Sequence, residues 1–311
     1  MTEKHLSTYI DDFIVARQAE GLADSTILSY SRVLHELVEF LNDPAPSEVT
    51  TDALRKFLVA YRRGRKPKTV YNAWTAIRSF WRYLEEKDIR NVARFLQPPK
   101  FPDPPVRVPT PEEVRRILDA CEYTAPSNGR RKPFRMRRPT ALRDRALIQL
   151  LVDTGMRLSE VVNLKVKDVD LSSGRILIRV AKAGKWRVVF ITDPVKKALK
   201  DYWEDRGALP NEPAFVNRFS APFTNNGIYN LIRRMGKRAG LEISPHDLRH
   251  FFATEYLRNG GDPFTLQRLL GHSTLTMVER YLRIIDDDLR KAHERASPLK
   301  SVLKVNQKEK A

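Results

Sequence analysis

Residues 246–281 read HDLRHFFATEYLRNGGDPFTLQRLLGHSTLTMVERY, and they hold His246, His250 and His272, half of the six histidines in the chain, together with Arg249 and Tyr281. Helical periodicity predicts helices over 245–259, 262–270 and 273–284. His246 and Arg249, three apart, share a face of the first of these, and Gly271 with His272 marks the end of the second. The His246 and His250 pair, four apart, has a spacing that suits zinc. The segment lacks the glutamate of HExxH, no cysteine accompanies the pair, and Arg249 lies between the two histidines, so no metal is expected. Tyr281, flanked by Met277, Val278 and Leu282, has two readings, a core tyrosine or a nucleophile.

Composition narrows the function. Lys and Arg number 56 against 38 Asp and Glu, a formal net charge of +18, which attracts polyanions and points first to nucleic acid. The single cysteine, Cys121, excludes an internal disulfide framework and fits a reducing cytoplasm. The N-terminus MTEKHLSTYIDDF lacks the apolar stretch of a signal peptide, and no apolar run is long enough to span a bilayer.

Two domains are expected from 311 residues that are 41% hydrophobic. Helices are predicted over 3–20, 25–41 (capped by Asp24-Ser25), 51–62 and 67–86; in the last, Val70, Trp74, Ile77, Trp81 and Leu84 recur as a core face. They form an N-terminal helical domain, residues 1–95. Prolines dominate LQPPKFPDPPVRVPTPEE, so residues 96–109 read as a stiff linker. Thr110-Pro111-Glu112-Glu113 opens a second domain, 110–295, with a cap, a proline and an acidic first turn. Helices over 141–153 and 159–164 are separated by Gly155. GRILIRV and WRVVFI, joined by AKAGK, read as a β-hairpin, and further helices cover 193–206, 224–239 and 286–295. The fold class is therefore mostly α with a small β-hairpin or sheet in the second domain, ending in a loosely ordered tail, 296–311. The basic stretch SNGRRKPFRMRRPT, 127–140, is either a solvated charge run or a phosphate-contacting loop.

Several pieces of the second domain suit a phosphodiester. Its non-bridging oxygens repel a nucleophile, so paired N–H donors from arginines such as Arg157 and Arg249 are what a metal-free site needs. A tyrosine attacks once a base or nearby positive charge helps its proton leave, and a lysine on a hairpin turn, Lys182 or Lys185, suits protonation of the leaving oxygen.

TGMRLSEVVNL, VAKAGKWRVVFI, HDLRHFFAT, LLGHST and Tyr281, in this order, resemble the tyrosine recombinases, the family of phage integrases and Xer-type recombinases. The resemblance implies a two-domain clamp on DNA, with a four-helix SAM-like core-binding domain and an integrase-type catalytic domain. It implies that Arg157 and Arg249 bind the phosphate and that Glu160 supports the site. Lys182 is then the general acid, His246 assists proton transfer, His272 bonds the scissile phosphate, and Tyr281 forms a 3′-phosphotyrosyl link. His250 is a supporting residue. The family's hairpin commonly reads Gly-Lys-Gly, whereas Ala181 and Ala183 flank Lys182 here, which keeps Lys185 as its rival.

The implied partner is double-stranded DNA, bound by a homo-oligomer, a tetramer on paired sites, or by a paired recombinase, with the C-terminal tail exchanged between subunits. Arg65, Lys66, Lys68, Arg130, Arg131, Lys132 and Arg135 are candidate DNA contacts. No cofactor and no membrane are expected, and the place of action is the cytoplasm, at the nucleoid. The chain begins almost at once with the core-binding helices, so an additional arm-binding domain is not expected. Type IB topoisomerase activity and a catalytically silent DNA-binding regulator are the competing readings.

Overall fold

The computed structural model describes residues 4–100, 107–124, 136–179, 186–271, 274–282, 293 and 297–299. The chain divides into two compact units, Met1–Pro104 and Pro105–Ala311.

The first unit is built from α1 (Leu6–Ala19), α2 (Asp24–Leu41), α3 (Thr51–Tyr61) and α4 (Pro67–Glu85). Helix α4 supplies the core face expected of it: Val70, Ile77, Trp81 and Leu84 are buried, joined by Ala73, Ala76 and Phe80, while Trp74 is half-buried. Phe13 of α1 meets Phe80 edge to face at 5.5 Å between ring centres, an arrangement that suits the ring quadrupoles. The cap of α2 differs from the expected one. Ala23 is the cap and Asp24 already lies in the first turn, where its carboxylate faces the positive end of the helix. After α4 a short 3-10 turn, Val92–Phe95, carries Val92, Ala93 and Leu96 into this core, and Trp74 Nε1 donates to Leu96 O at 3.1 Å.

In the second unit Thr110 caps α5 (Pro111–Glu122) by accepting from Glu113 N, while Glu113 returns to accept from Thr110 N. Helix α6 (Ala141–Thr154) packs against α5, α8 (Asp193–Asp205) and α10 (Pro245–Arg258), and Ala146, Leu147, Ile148, Leu150 and Leu151 are all buried. Its first turn is tied by charge. Asp144 is fully buried and pairs with Arg138 at 2.7 Å and Arg143 at 2.8 Å. Arg138, at the end of the basic stretch 127–140, is thus a structural ion; Ser127–Phe134 and Arg135 lie outside the described residues.

The expected hairpin is the larger part of a three-stranded antiparallel sheet, β1 (Val169–Asp170), β2 (Arg175–Arg179) and β3 (Trp186–Phe190). β1 has two residues, too few to show an alternation in sequence. β2 and β3 pair with Arg175 opposite Phe190 and Arg179 opposite Trp186. Ile176, Ile178 and Val189 face the core, Trp186 and Phe190 face outward, and Arg187 shares the inward face of β3 with Val189.

After α6 the chain enters the short α7 (Leu158–Val162), briefer than the expected 159–164. Helices α9 (Asn225–Arg238), α10, α11 (Pro263–Leu270) and α12 (Thr276–Leu282) follow. The last three share a small core of Ala253, Leu257, Leu266, Leu270, Val278 and Tyr281. The expected helix 286–295 falls outside the described residues except for His293. No helix among the described residues is long and apolar enough to cross a membrane.

Gly155 ends α6 at φ +59, and a Cβ there would stand 2.4 Å from Phe252 Cδ1 and 2.9 Å from Leu270 Cδ2. Both the left-handed backbone and the close approach demand glycine. Gly155→Ala is expected to destabilise the second unit by about 2–4 kcal/mol, measured by urea unfolding.

Candidate active site

Gly155 turns the chain so that Met156 is buried and Arg157 arrives at the start of α7. Glu160, one turn on, folds back and accepts from Arg157 N at 2.7 Å, which satisfies one of the orphan donors of a helix start. That contact draws its carboxylate into the interior, where Glu160 is only 9% exposed. A buried carboxylate needs cationic donors. Among the described residues it has two: Arg157 Nη1 at 3.3 Å and Arg187 Nη2, from β3, at 2.6 Å.

A third guanidinium comes from α10. Ser244 caps this helix, accepting from Asp247 N, and Pro245 is its first residue. Arg249, one turn further, is 6% exposed. Its Nη1 donates to Gly155 O and its Nη2 to Leu270 O at 2.8 Å. Burial first, then the positive charge of Arg157, push its pKa down to about 10; Glu160 opposes the shift and Arg187 adds to it. Burial likewise pulls Arg187 below the ordinary arginine value, against the pull of Glu160, and Arg157 lowers it further.

The three arginines converge on one helix end. Arg187 Nη1 donates to Leu269 O, Arg249 Nη2 to Leu270 O, and Arg157 Nη2 to Gly271 O at 3.1 Å. The final carbonyls of α11 lack helical partners and carry its negative pole, so each suits a cation. Gly271, at φ +63, makes room for them: a Cβ there would lie 2.9 Å from Arg187 Cδ and Nε and 3.5 Å from Arg157 Nη1.

Tyr281, on α12, is 4% exposed and packs in the apolar cluster of α10, α11 and α12. Its hydroxyl lies 3.0 Å from Nδ1 of His250. The His250 and His246 rings are 6.4 Å apart, and His246 is exposed in the first turn of α10. Arg157, Glu160 and Arg249 are therefore brought together, with Tyr281 held by His250, while His246 stands on the surface next along the helix. Lys182, Lys185 and His272 lie outside the described residues.

Of the candidate DNA contacts in the first unit, Arg65 pairs with Glu36 at 2.8 Å and stacks over Tyr61 at 4.0 Å, so it is already engaged within that unit. Lys66 caps α4 and is exposed; Lys68 is exposed with its ammonium 4.6 Å from the Tyr71 ring centre. Arg130, Arg131, Lys132 and Arg135 lie outside the described residues. Sequence reading missed Arg187. Its one signal was an arginine on the same face as Val189 in a strand whose alternate residues are apolar.

Two guanidinium groups paired with a buried carboxylate, a third on the same helix end and a buried phenol in the adjoining cluster define a cationic site of the kind that suits an anion. Residues 107–287 match the phage integrase family, and residues 9–91 match the phage integrase N-terminal SAM-like domain. Tyrosine recombinase XerA of Thermococcus kodakarensis is 30% identical over 94% of this chain and 97% of its own length. The crystal structure of XerA recombinase covers 94% of this chain and 99% of its own, with 29% identity and a TM-score of 0.53. A λ integrase tetramer bound to a Holliday junction shares the fold at a TM-score of 0.71 and 19% identity, covering 90% of this chain and 78% of its own. The chain belongs to the phage integrase family, as a tyrosine site-specific recombinase.

Lysine at position 249 would keep the charge but serve only one of the two buried carbonyls. Arg249→Lys is expected to cost about 1–3 kcal/mol of stability through the carbonyl left unpaired, visible in the urea midpoint of the second unit.

Proposed function

We propose that this recombinase works through a 3′-phosphotyrosyl intermediate, with Arg157 and Arg249 holding the scissile phosphate and Tyr281 attacking it. The observation that carries the reading is the convergence of guanidinium groups on the end of α11, with Tyr281 packed against the same helix.

The chemistry follows from the charges. Among the described residues Glu160 is the carboxylate at this site; Arg157 and Arg187 pair with it, and Arg249 feels its charge from its place on two carbonyls. Excess positive charge in a desolvated site is relieved when an anion arrives, and it becomes most favourable as charge builds on the phosphoryl oxygens in the transition state. Preorganised donors of this kind contribute about 3–4 kcal/mol each. The Tyr281 oxygen forms its bond to phosphorus as the bond to the 5′ oxygen breaks. His250 Nδ1 holds the phenol in the resting state, and His246, exposed in the first turn of α10, assists departure of the phenolic proton when Tyr281 attacks. The leaving 5′ oxygen receives its proton from Lys182, the assignment that the hairpin motif supports. Resealing reverses these steps with a 5′-hydroxyl from the partner duplex, so the phosphodiester energy is conserved. His272 adds a donor to the phosphate, on the strength of the LLGHST motif.

Tyr281 is buried and bonded to His250 in this structure, so attack on a duplex requires α12 to shift. The helix is short, Thr276–Leu282, and among its described side chains Val278 and Tyr281 are the ones buried.

Residues 1–95 act as the core-binding domain, 96–109 as the linker and 110–295 as the catalytic domain, closing round double-stranded DNA, with the tail 296–311 exchanged between subunits of a tetramer on paired sites. The formal charge of +18 and the λ integrase tetramer on its junction support that assembly. The substrate places the protein in the cytoplasm at the nucleoid. Relatives that are recombinases along nearly their whole length do not favour the topoisomerase or silent-regulator readings.

Random-sequence duplexes nicked beside a fixed position, incubated with the protein and a chelator, are expected to yield a covalent protein–DNA band on denaturing gels. Tyr281→Phe is expected to remove the band entirely while still shifting the selected duplex on native gels. A band that survives in Tyr281→Phe contradicts the assignment.

A further inference from the structure

The mechanism above leaves one buried cation without a task. Arg187 lies on the inward face of β3 with its side chain 10% exposed, and it bridges two elements: Nη2 to Glu160 Oε2 and Nη1 to Leu269 O. We propose that Arg187 is a positioning residue, which takes up the charge of Glu160 and so keeps the guanidinium of Arg157 available for the scissile phosphate. The inference rests on the reading of Arg157 as a phosphate-binding residue.

The distances divide Glu160 unequally. Arg187 approaches one carboxylate oxygen to 2.6 Å, whereas Arg157 stands 3.3 Å from the other. Hydrogen bonds between charged groups are ordinarily about 2.7–2.9 Å long. The Arg187 contact is therefore the full ion pair and the Arg157 contact a loose one. Arg157 keeps 38% of its side chain exposed, and its bond to Gly271 O, at 3.1 Å, engages a neutral acceptor. Among the described residues its charge is thus only loosely compensated, and part of its side chain reaches solvent, as an anion-binding group requires.

Without Arg187 the balance reverses. Glu160 would remain buried with Arg157 as its one guanidinium partner among the described residues, and a buried carboxylate closes on whatever cation it can reach. A two-pronged Arg157–Glu160 pair is geometrically easy, since the two are already neighbours across one turn. Such a pair would neutralise Arg157 and turn its N–H groups away from the phosphate. Glu160 is in this sense a hazard to the site as well as its support, and Arg187 counters the hazard. The link to Leu269 O fixes where Arg187 stands, because it ties β3 to the same helix end that Arg249 and Arg157 grip.

A supporting residue that only held the fold together would not show the following pattern. Arg187→Met removes the charge at similar length, and Glu160→Gln removes the negative charge while keeping an acceptor for Arg157 N. The measured quantity is the rate of covalent adduct formation on a nicked duplex selected with the unmodified protein, with affinity for the same duplex measured on native gels. Arg187→Met is expected to slow the adduct by about 100-fold with affinity little changed. Adding Glu160→Gln to Arg187→Met is expected to restore at least about tenfold of that loss, since the carboxylate that captures Arg157 is gone. Arg187→Lys, which retains a cation for Glu160, is expected to lose less than about tenfold. Should Arg187→Met fail to fold, Arg187→Gln, which also removes the charge, with and without Glu160→Gln carries the same comparison.

Arg157→Ala separates the two levels of the argument. If Arg157→Ala forms adduct at the unmodified rate, the phosphate-binding reading of Arg157 fails, and the inference with it. If Arg157→Ala loses the adduct but Arg187→Met does not, or if Glu160→Gln gives no recovery in the Arg187→Met background, the positioning role is wrong while the reading of Arg157 stands.

Discussion

Everything at the candidate site depends on the end of α11. Three successive carbonyls there, Leu269, Leu270 and Gly271, each accept from a different arginine, and those arginines come from β3, α10 and the start of α7. A helix C-terminus supplies a fixed negative pole and unpaired acceptors. Three elements that meet nowhere in sequence are thereby pinned to one point. The glycine at 271 is part of the same device, because a Cβ there would crowd the Arg187 side chain at 2.9 Å.

The arrangement costs stability and stores function. Two guanidinium groups pair with one carboxylate and a third lies close by, and burial next to like charge pulls both Arg249 and Arg187 below their ordinary pKa. At neutral pH Arg249, at about 10, stays charged. The sign of the linkage is clear: a cation whose folded pKa is lowered disfavours the folded state while it stays protonated, and that penalty fades as pH rises through about 10. Neutral carbonyls hold the arginines in place without cancelling their charge, whereas carboxylates in the same positions would have done so. Tyr281 and His250 sit beside this cluster, where burial keeps the Tyr281 hydroxyl out of water and against His250.

Much of this was legible in the sequence. Thr110-Pro111-Glu112-Glu113 announced α5 because a cap, a proline and early carboxylates each solve a problem of helix starts. Gly155 announced the end of α6, and the apolar spacing of α4 gave its buried face. Arg157, Glu160 and Arg249, which lie together in the structure, could be grouped in advance because an arginine at a helix mouth and an HxxR pair belong to an ordered set of motifs. Arg187 was missed because its meaning lies in partners 27 and 82 residues away, Glu160 and Leu269. Local pattern cannot encode such distances. The same limit explains the histidines: spacing placed His246 beside Arg249, but tertiary packing brings His250 to Tyr281. β1 was too short to be read, and the cap of α2 slipped by one residue because Asp serves both as cap and as first-turn residue.

The central claim is that the arginines are there to offset phosphate charge, and its most direct test removes that charge from the substrate. On a selected duplex whose scissile phosphate carries a methyl group in place of one non-bridging oxygen, Arg249→Ala is expected to regain covalent adduct formation that it lacks on the ordinary phosphate. Tyr281→Phe should regain nothing. If Arg249→Ala stays inactive on the neutral linkage, the arginine serves the fold alone and the account of the site is contradicted.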